Sequence, residues 1–465
     1  GLDSASVFVH YLPRNWNMKD NVATEVEVKQ ELISDDQKRW IDSAISLIDE
    51  EAMRQFNLQL TSIHSPTGYE REANQWLVSH MQSIGLNSFY QSMDSDSGNA
   101  IGTIKGTGDG SSLMLYAPVD THLDSIPSRD VPWVGPELRP DMKPEAYIAD
   151  NGDVIGLGSS NPKGMITAIA EAVRVIKASG APLKGDLIWA SCGGGMPSKP
   201  DESEVRQAHG LGSGVSYMIN HGVTSDFGII VKPGWAVSWE EVGLCWFKVT
   251  VNGQMGYAGM TRSFPGFRNS VVHASKFILE LEKWLPEYQA QNTSGLCSPQ
   301  GAISAVRAGW PNKPSFPSAV TEIYIDMRCT PRQTPSQVKA EFANAVQNIV
   351  TANPDLDIEW EMIAAYPAGH TDPSNWIIQS SMRGWEFSEG SSHKVRLNTS
   401  GQTDASAIRN LGIPLARIGF PPVPTTPEAW QGFGGMGVSY IPDLIKVTKA
   451  LVYTIVDTCT REKLT

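Results

Sequence analysis

The stretch Leu113-Met114-Leu115-Tyr116-Ala117-Pro118-Val119-Asp120-Thr121 decides how this chain is read. It is apolar without a break until a carboxylate and a hydroxyl close it. A strand with one wet face alternates apolar and polar residues, whereas a continuously apolar strand is covered on both faces, as in a largely parallel sheet flanked by helices. Working outward, the apolar stripe and Gly180 predict a helix from Lys163 to Ala178, followed by strands at Leu187–Ala190 and Phe227–Val231; 98–104 reads as a strand before it. Strand–helix–strand repetition predicts an α/β fold with a mixed sheet.

Further out, Ser34 and Gln37 form a capping box ahead of a helix whose stripe runs through Ile41, Ala44, Ile45, Ile48 and Ala52. A second helix is predicted over 69–84, closed by Gly85. After about residue 243 the texture changes: Cys245–Val251 and Val320–Arg328 alternate as strands, while 270–289 and 335–351 carry helical stripes. From 367 the first texture resumes and ends in a helix over 443–458. The predicted organisation is an N-terminal extension (1–33), a larger α/β domain (34–243 and 367–465), and a small α+β domain (244–366) inserted into it.

The chain has 465 residues, 41% hydrophobic and 19% charged, which excludes a disordered, collagen-like or disulfide-stapled chain. Its formal charge of −13 argues against nucleic acid and an anionic membrane surface as partners, since both select clustered Lys and Arg. No apolar run is long enough to span a membrane. The segment 1–17 lacks a basic stretch followed by an apolar core, and the five cysteines (192, 245, 297, 329, 459) show no paired spacing; both point to a reducing, cytoplasmic setting.

Seven segments then line up in order with one family: LMLYAPVDT (113–121), VIGLGSSNPKGMITAIAEA (154–172), LIWASCGGGMPS (187–198), FGIIVKPG (227–234), FKVTVNGQMGYAG (247–259), SAVTEIYIDMRCTP (318–331) and NTSGQTDASAIRNLGIP (398–414). Over residues 60–460 the chain resembles the zinc peptidases and deacetylases that include carboxypeptidase G, acetylornithine deacetylase and succinyl-diaminopimelate desuccinylase. The resemblance implies a mixed-sheet catalytic domain with an inserted ferredoxin-like lid, through which such proteins dimerise. It also implies hydrolysis of amide bonds in small peptides and N-acyl amino acids, by water activated between two zinc ions and a glutamate base.

The ligands of that chemistry do not carry over. Asp120 is kept, but the first histidine position is Pro118, the bridging aspartate is Asn161, the paired glutamates fall on Gly193 and Gly194, and the carboxylate before Pro233 is Lys232. No histidine follows His393, and the lid histidine is Tyr257. Sliding the register to His122-Leu123-Asp124 recovers one ligand and leaves the others missing. The resulting expectation is a homodimeric enzyme with no metal and no other cofactor.

In place of the metal, Asp120 and His122 stand two apart and are expected to face the same way as an acid/base pair. Lys163 keeps the family's lysine position, with a structural role at the helix start as the alternative. Cys192 is a candidate nucleophile, with backbone N–H groups of Gly193, Gly194 and Gly195 as an oxyanion hole and the glycines enlarging the pocket. Asn161, Lys232, Tyr257, Arg328, Thr403 and Asp404 are candidate substrate-binding residues; the resemblance implies that Arg328 grips a substrate carboxylate and that Thr403 and Asp404 shape the pocket floor. Trp133, Trp235, Trp239 and Trp430 flank the site. The function expected is action on a C–N bond (amide, imide or ureido) of a small anionic or aromatic compound. A non-catalytic binding protein and a conventional two-zinc amidohydrolase are the alternatives.

Overall fold

The structure is a computed structural model that describes residues 26–29, 33–131, 133–199, 210–428, 430 and 436–464. Most of the segment 1–33 read as an extension lies outside the described residues.

The stretch from Leu113 is a strand, and its alternate side chains enter two different cores. Leu113, Leu115 and Ala117 join one buried cluster, and Met114 and Tyr116 join another. This is the geometry that an unbroken apolar strand requires. The central sheet comprises β1 (Asn87–Ser92), β2 (Gly98–Ile104), β3 (Leu113–Pro118), β4 (Leu187–Cys192), β5 (Phe227–Val231), β6 (Val237–Ser238) and, late in the chain, a strand over Leu415–Ile418. Its spatial order is β1-β2-β4-β3-β5-(415–418)-β6. The middle strands β4, β3, β5 and Leu415–Ile418 are mutually parallel, and the flanking pairs are antiparallel.

One face is covered by helices α1 (Asp35–Ser46), α2 (Glu50–Thr61), α3 (Arg71–Ser83), α4 (Lys163–Ser179), and the helices Trp376–Glu389 and Ile441–Cys459, whose buried side chains form the larger cluster. The other carries α5 (Ser213–Asn220) and the short helix Ala405–Asn410. Gly180 ends α4 with φ 70°, a left-handed conformation that glycine adopts without Cβ strain.

The capping box at Ser34 forms as predicted, but the helix expected to continue to Ala52 breaks. Asp49 turns extended and caps a new helix by accepting from the backbone N–H of Ala52. The stripe of apolar residues is continuous through this break, so periodicity alone does not reveal it.

Between β6 and the strand Leu415–Ile418 lies a second sheet: β7 (Gly243–Asn252), β8 (Gly301–Ala308), β9 (Val320–Cys329) and β10 (Asp357–Tyr366), all antiparallel in the order β8-β9-β7-β10. Cys245, Phe247, Val249 and Val251 of β7 point to one face, where they pack with Phe277 of α6 (Ser270–Asn292) and Phe342 of α7 (Pro335–Ala352). The predicted strands and helices of this region are present. Gly301–Ala308 and Asp357–Tyr366 were not expected: in the first nearly every side chain is exposed, whereas the second alternates charged and apolar residues over 357–362, a strand signal that was passed over. No helix among the described residues is long and apolar enough to cross a membrane.

Candidate functional site

The parallel strands of the central sheet end on one side, and ligands of open α/β sheets bind at that carboxyl edge. Asp120 follows β3, Gly193 follows β4, and Lys232 follows β5. Asp404 is brought in from just before the helix Ala405–Asn410. All four belong to the predicted set.

A glutamate that sequence reasoning did not single out completes the group. Glu70 precedes α3 and is fully buried; its Oε1 accepts from the N–H of Gly68 (2.6 Å) and of Gly194 (2.9 Å), and its Oε2 from Ser97 Oγ (2.6 Å). Asp120 is equally enclosed: Oδ1 accepts from Gly195 N–H (2.9 Å), and Oδ2 from Met196 N–H (2.8 Å) and Thr67 Oγ1 (2.8 Å). Gly193 N–H donates to Asn99 Oδ1 (3.2 Å). Glu70 was missed because a glutamate at a helix start is an ordinary cap signal; the triple glycine is the one clue to it.

This overturns the expectation for residues 193–195. Their N–H groups bind the protein's own carboxylates and side-chain amide, so they are not an open oxyanion hole. Nor do the glycines enlarge a pocket. A Cβ at Gly193 would lie 2.9 Å from the Glu70 carboxyl carbon, and one at Gly195 would lie 2.7 Å from Asp404 Oδ2. The missing side chains make room for acidic groups already present.

Burial raises the Glu70 carboxyl to about 7, with the charge of Asp120 adding to the effect and its hydrogen bonds opposing it. Burial also raises Asp404 to about 7, against the opposing attraction of Lys232, while Tyr116 donates its hydroxyl to Asp404 Oδ2. Asp120 is raised by burial as well. Lys232 is pushed below the usual lysine range by burial, and the negative charges of Asp404 and Asp120 oppose that shift. Its ammonium makes no hydrogen bond among the described residues, whereas neighbouring Arg417 donates to Glu241 Oε1 (2.7 Å) and Pro233 O (2.8 Å). Asn161 is buried with its side-chain oxygen unpartnered among the described residues.

The remaining predicted residues are placed elsewhere or already occupied. The carboxylate whose charge acts on His122 is Asp141, and burial lowers its imidazole to about 4; Asp120 faces Lys232 and Glu70 instead, so the two do not form the expected acid/base pair. Lys163 is buried under α2, where Nζ donates to Ile63 O (2.6 Å) and Thr61 O (3.4 Å). Cys192 is fully buried against Met218 (Sγ–Sδ 3.7 Å), and burial raises its thiol well above the usual range, which removes it as a nucleophile.

Arg328 is paired with Asp326 two residues back on β9 (Nε–Oδ1 2.8 Å, Nη2–Oδ2 2.9 Å) and so is not poised for a substrate carboxylate. Tyr257 is half exposed in the loop after β7, its ring 5.9 Å from that of Phe316. Thr403 donates its hydroxyl to buried Glu241. Trp239 is core, Trp235 packs on Trp385 (5.3 Å), and Trp133 is exposed.

No protein-family model matches the sequence. Solved structures do match the fold. Human carnosine dipeptidase 1 aligns with TM-score 0.66 and 13% identity over 90% of this chain and 98% of that one. An M20 family metallo-carboxypeptidase from Sulfolobus solfataricus aligns with TM-score 0.60 and 12% identity over 91% and 99%. An amidase of the hydantoinase/carbamoylase family from Burkholderia multivorans aligns with TM-score 0.59 and 12% identity over 92% and 98%.

These structures correct the expectation that no cofactor is used. One protein of this fold is described as a metallo-carboxypeptidase, so the fold is one in which a metal serves, and the absence of a cofactor does not stand as a statement about this chain. The donor set around Asp120 nevertheless does not fit a bridged pair of zinc ions, which needs several imidazole or carboxylate ligands. An ammonium stands at Lys232, an amide at Asn161, and the oxygens of Asp120 and Glu70 are taken up by backbone N–H groups and the hydroxyls of Thr67 and Ser97. Among the described residues no three His, Cys, Asp or Glu side chains converge as a metal site. What the alignments and the motifs agree on is the architecture: this chain has the fold shared by the M20 metallo-carboxypeptidases, the dipeptidases and the hydantoinase/carbamoylase amidases.

Proposed function

We propose that this protein is a hydrolase acting on a C–N bond, amide or ureido, of a small compound that carries an anionic group, and that Lys232 receives the negative charge. One observation supports this reading above the rest. Lys232, a side chain only 7% exposed at the carboxyl edge of the central sheet, makes no hydrogen bond within the described protein, although charged groups on largely buried side chains are normally paired. A substrate carboxylate, or the oxyanion formed when water adds to the scissile carbonyl, supplies that partner.

Asp404 is the proton-transfer group in this proposal. A carboxyl held at about 7 releases and accepts protons near neutrality, which suits taking a proton from the attacking water and returning it to the leaving nitrogen. Asp120 and Glu70 are positioning residues that hold the 193–196 loop through its N–H groups. The segment 244–366 is read as a lid over this edge.

A second reading, a protein that binds such a compound without turning it over, is favoured by the fully engaged glycine loop and the buried Cys192 thiol. The test is incubation with a panel of N-acyl and N-carbamoyl amino acids, with and without added zinc, followed by mass spectrometry. Product formation that falls at least a hundredfold in Lys232→Met and Asp404→Asn supports catalysis. Binding without product supports the second reading, and undiminished turnover in both variants overturns the assignment.

A further inference from the structure

The loop after β7 and the loop joining β8 to β9 form one surface that the proposed reaction does not use. Ala258 N–H donates to Ser315 O (2.8 Å), Gly253 N–H donates to Ala319 O (2.7 Å), and the Tyr257 and Phe316 rings meet, so the two loops are tied together. Six large apolar side chains project from them. Met255 is 73% exposed, and Tyr257, Met260, Phe264, Trp310 and Phe316 are about half exposed. Singly exposed apolar residues are ordinary, but a contiguous patch marks an interaction site.

Its charge is opposite to that of the whole chain. Residues 253–269 and 308–320 contain no Asp or Glu, yet hold Arg262, Arg268 and Lys313, in a protein of formal charge −13. The cations are interleaved with the apolar side chains: Arg262 stands between Met260 and Phe264, and Lys313 Nζ lies 4.5 Å from the centre of the Trp310 ring. Arg268 reaches Asp357 at 3.7 Å, which leaves Arg262 and Lys313 as the cations set among the apolar tips.

We infer that this surface docks on an anionic lipid bilayer, with the apolar tips in the headgroup–acyl boundary and the cations at the phosphates. Interleaved apolar and basic side chains at loop tips match that boundary, where long basic side chains keep their charge at headgroup level while apolar neighbours enter the bilayer. Self-pairing of the patch across a two-fold axis would set its cations against their own copies, so charge disfavours a second copy of the patch as the occupant. The acidic total argues against a membrane only if charge is spread evenly, and here it is not.

The test is co-sedimentation of the full chain with vesicles of phosphatidylcholine alone and of phosphatidylcholine mixed with phosphatidylserine. Binding is expected to the mixed vesicles, to weaken as salt is raised, and to drop roughly tenfold or more in Phe264→Ser combined with Trp310→Ser. Arg262→Ala combined with Lys313→Ala is expected to remove the dependence on phosphatidylserine. These side chains are exposed, so unchanged melting temperatures would confirm that the variants are folded. Absence of binding to the mixed vesicles, or equal binding by the variants, overturns the inference. So does light scattering that shows a dimer converted to monomer by the Phe264→Ser and Trp310→Ser pair, because the patch is then covered by protein.

Discussion

Glu70 carries its carboxyl into a space shut off from water and beside the negative charge of Asp120, and the consequence is a pH dependence with a definite sign. Its folded value of about 7 lies above the unfolded 4.5. Between those values the native state holds the proton more tightly than the unfolded chain, so this group's contribution to stability is full below about 4.5 and is lost as pH rises toward 7. A shift of this size is worth on the order of 3 kcal/mol. Glu70→Gln keeps an oxygen for the Gly68 and Gly194 N–H groups and imitates the protonated acid. Melting temperatures from pH 4.5 to 7.5 should therefore fall less steeply in Glu70→Gln than in the wild type, and identical slopes would refute the account. At the same scale, Gly195→Ala drives a methyl against Pro118 and the Asp404 carboxyl. Overpacking of this kind costs about 1–3 kcal/mol, and urea denaturation should show at least that loss.

Among the elements, α2 and α4 are tied by several side chains: Asn57 Nδ2 donates to Thr167 Oγ1 (3.0 Å), the Asp49 N–H donates to Glu171 (2.8 Å), and Lys163 reaches the end of α2. Lys163 Nζ caps the carbonyl of Ile63 just beyond α2, and that carbonyl sits where the chain turns toward Glu70. Lys163→Met keeps the apolar stem and removes the donor, leaving a carbonyl unsatisfied at a cost of about 1–3 kcal/mol. The expected result is a lower unfolding midpoint with activity per folded molecule retained, whereas loss of activity in a fully stable variant would place Lys163 in the chemistry. Elements with a strong local pattern were legible in the sequence. The unbroken apolar run at Leu113 forecast a sheet covered on both faces, and Phe227–Val231 is a strand at the predicted ends. What was illegible depended on contacts between distant segments. Nothing near Gly193 in the chain shows that Glu70 will fill its space, and nothing near Asp120 shows that its oxygens will be spent on Gly195 and Met196. His122 was assigned from spacing and Arg328 from the resemblance, but the charge that acts on His122 is that of Asp141, and Arg328 pairs with Asp326.

Over the whole molecule, the acidic surplus breaks into local arrangements with different jobs. At the junction of the two sheets, buried Glu240 is held by Arg332 (Nη2–Oε1 3.0 Å) and by the Leu296 N–H, and Glu241 by Arg417 and Thr403. Arg332→Ala leaves the Glu240 carboxylate buried and unpaired, which costs about 3–5 kcal/mol. The expected outcome is a clear drop in melting temperature, and an unchanged value would mean that the two sheets are held by other contacts. At the carboxyl edge of the central sheet, the charges of Asp404 and Asp120, with that of Glu241, act on one ammonium, Lys232, that lacks a hydrogen-bond partner among the described residues. That ammonium carries the proposal that the cleft recognises an anion. Calorimetric titration of N-carbamoyl amino acids into wild type and Lys232→Met tests it most directly. Saturable binding in the wild type, weakened at least a hundredfold in Lys232→Met, is the predicted result; equal affinity in the two proteins would contradict it.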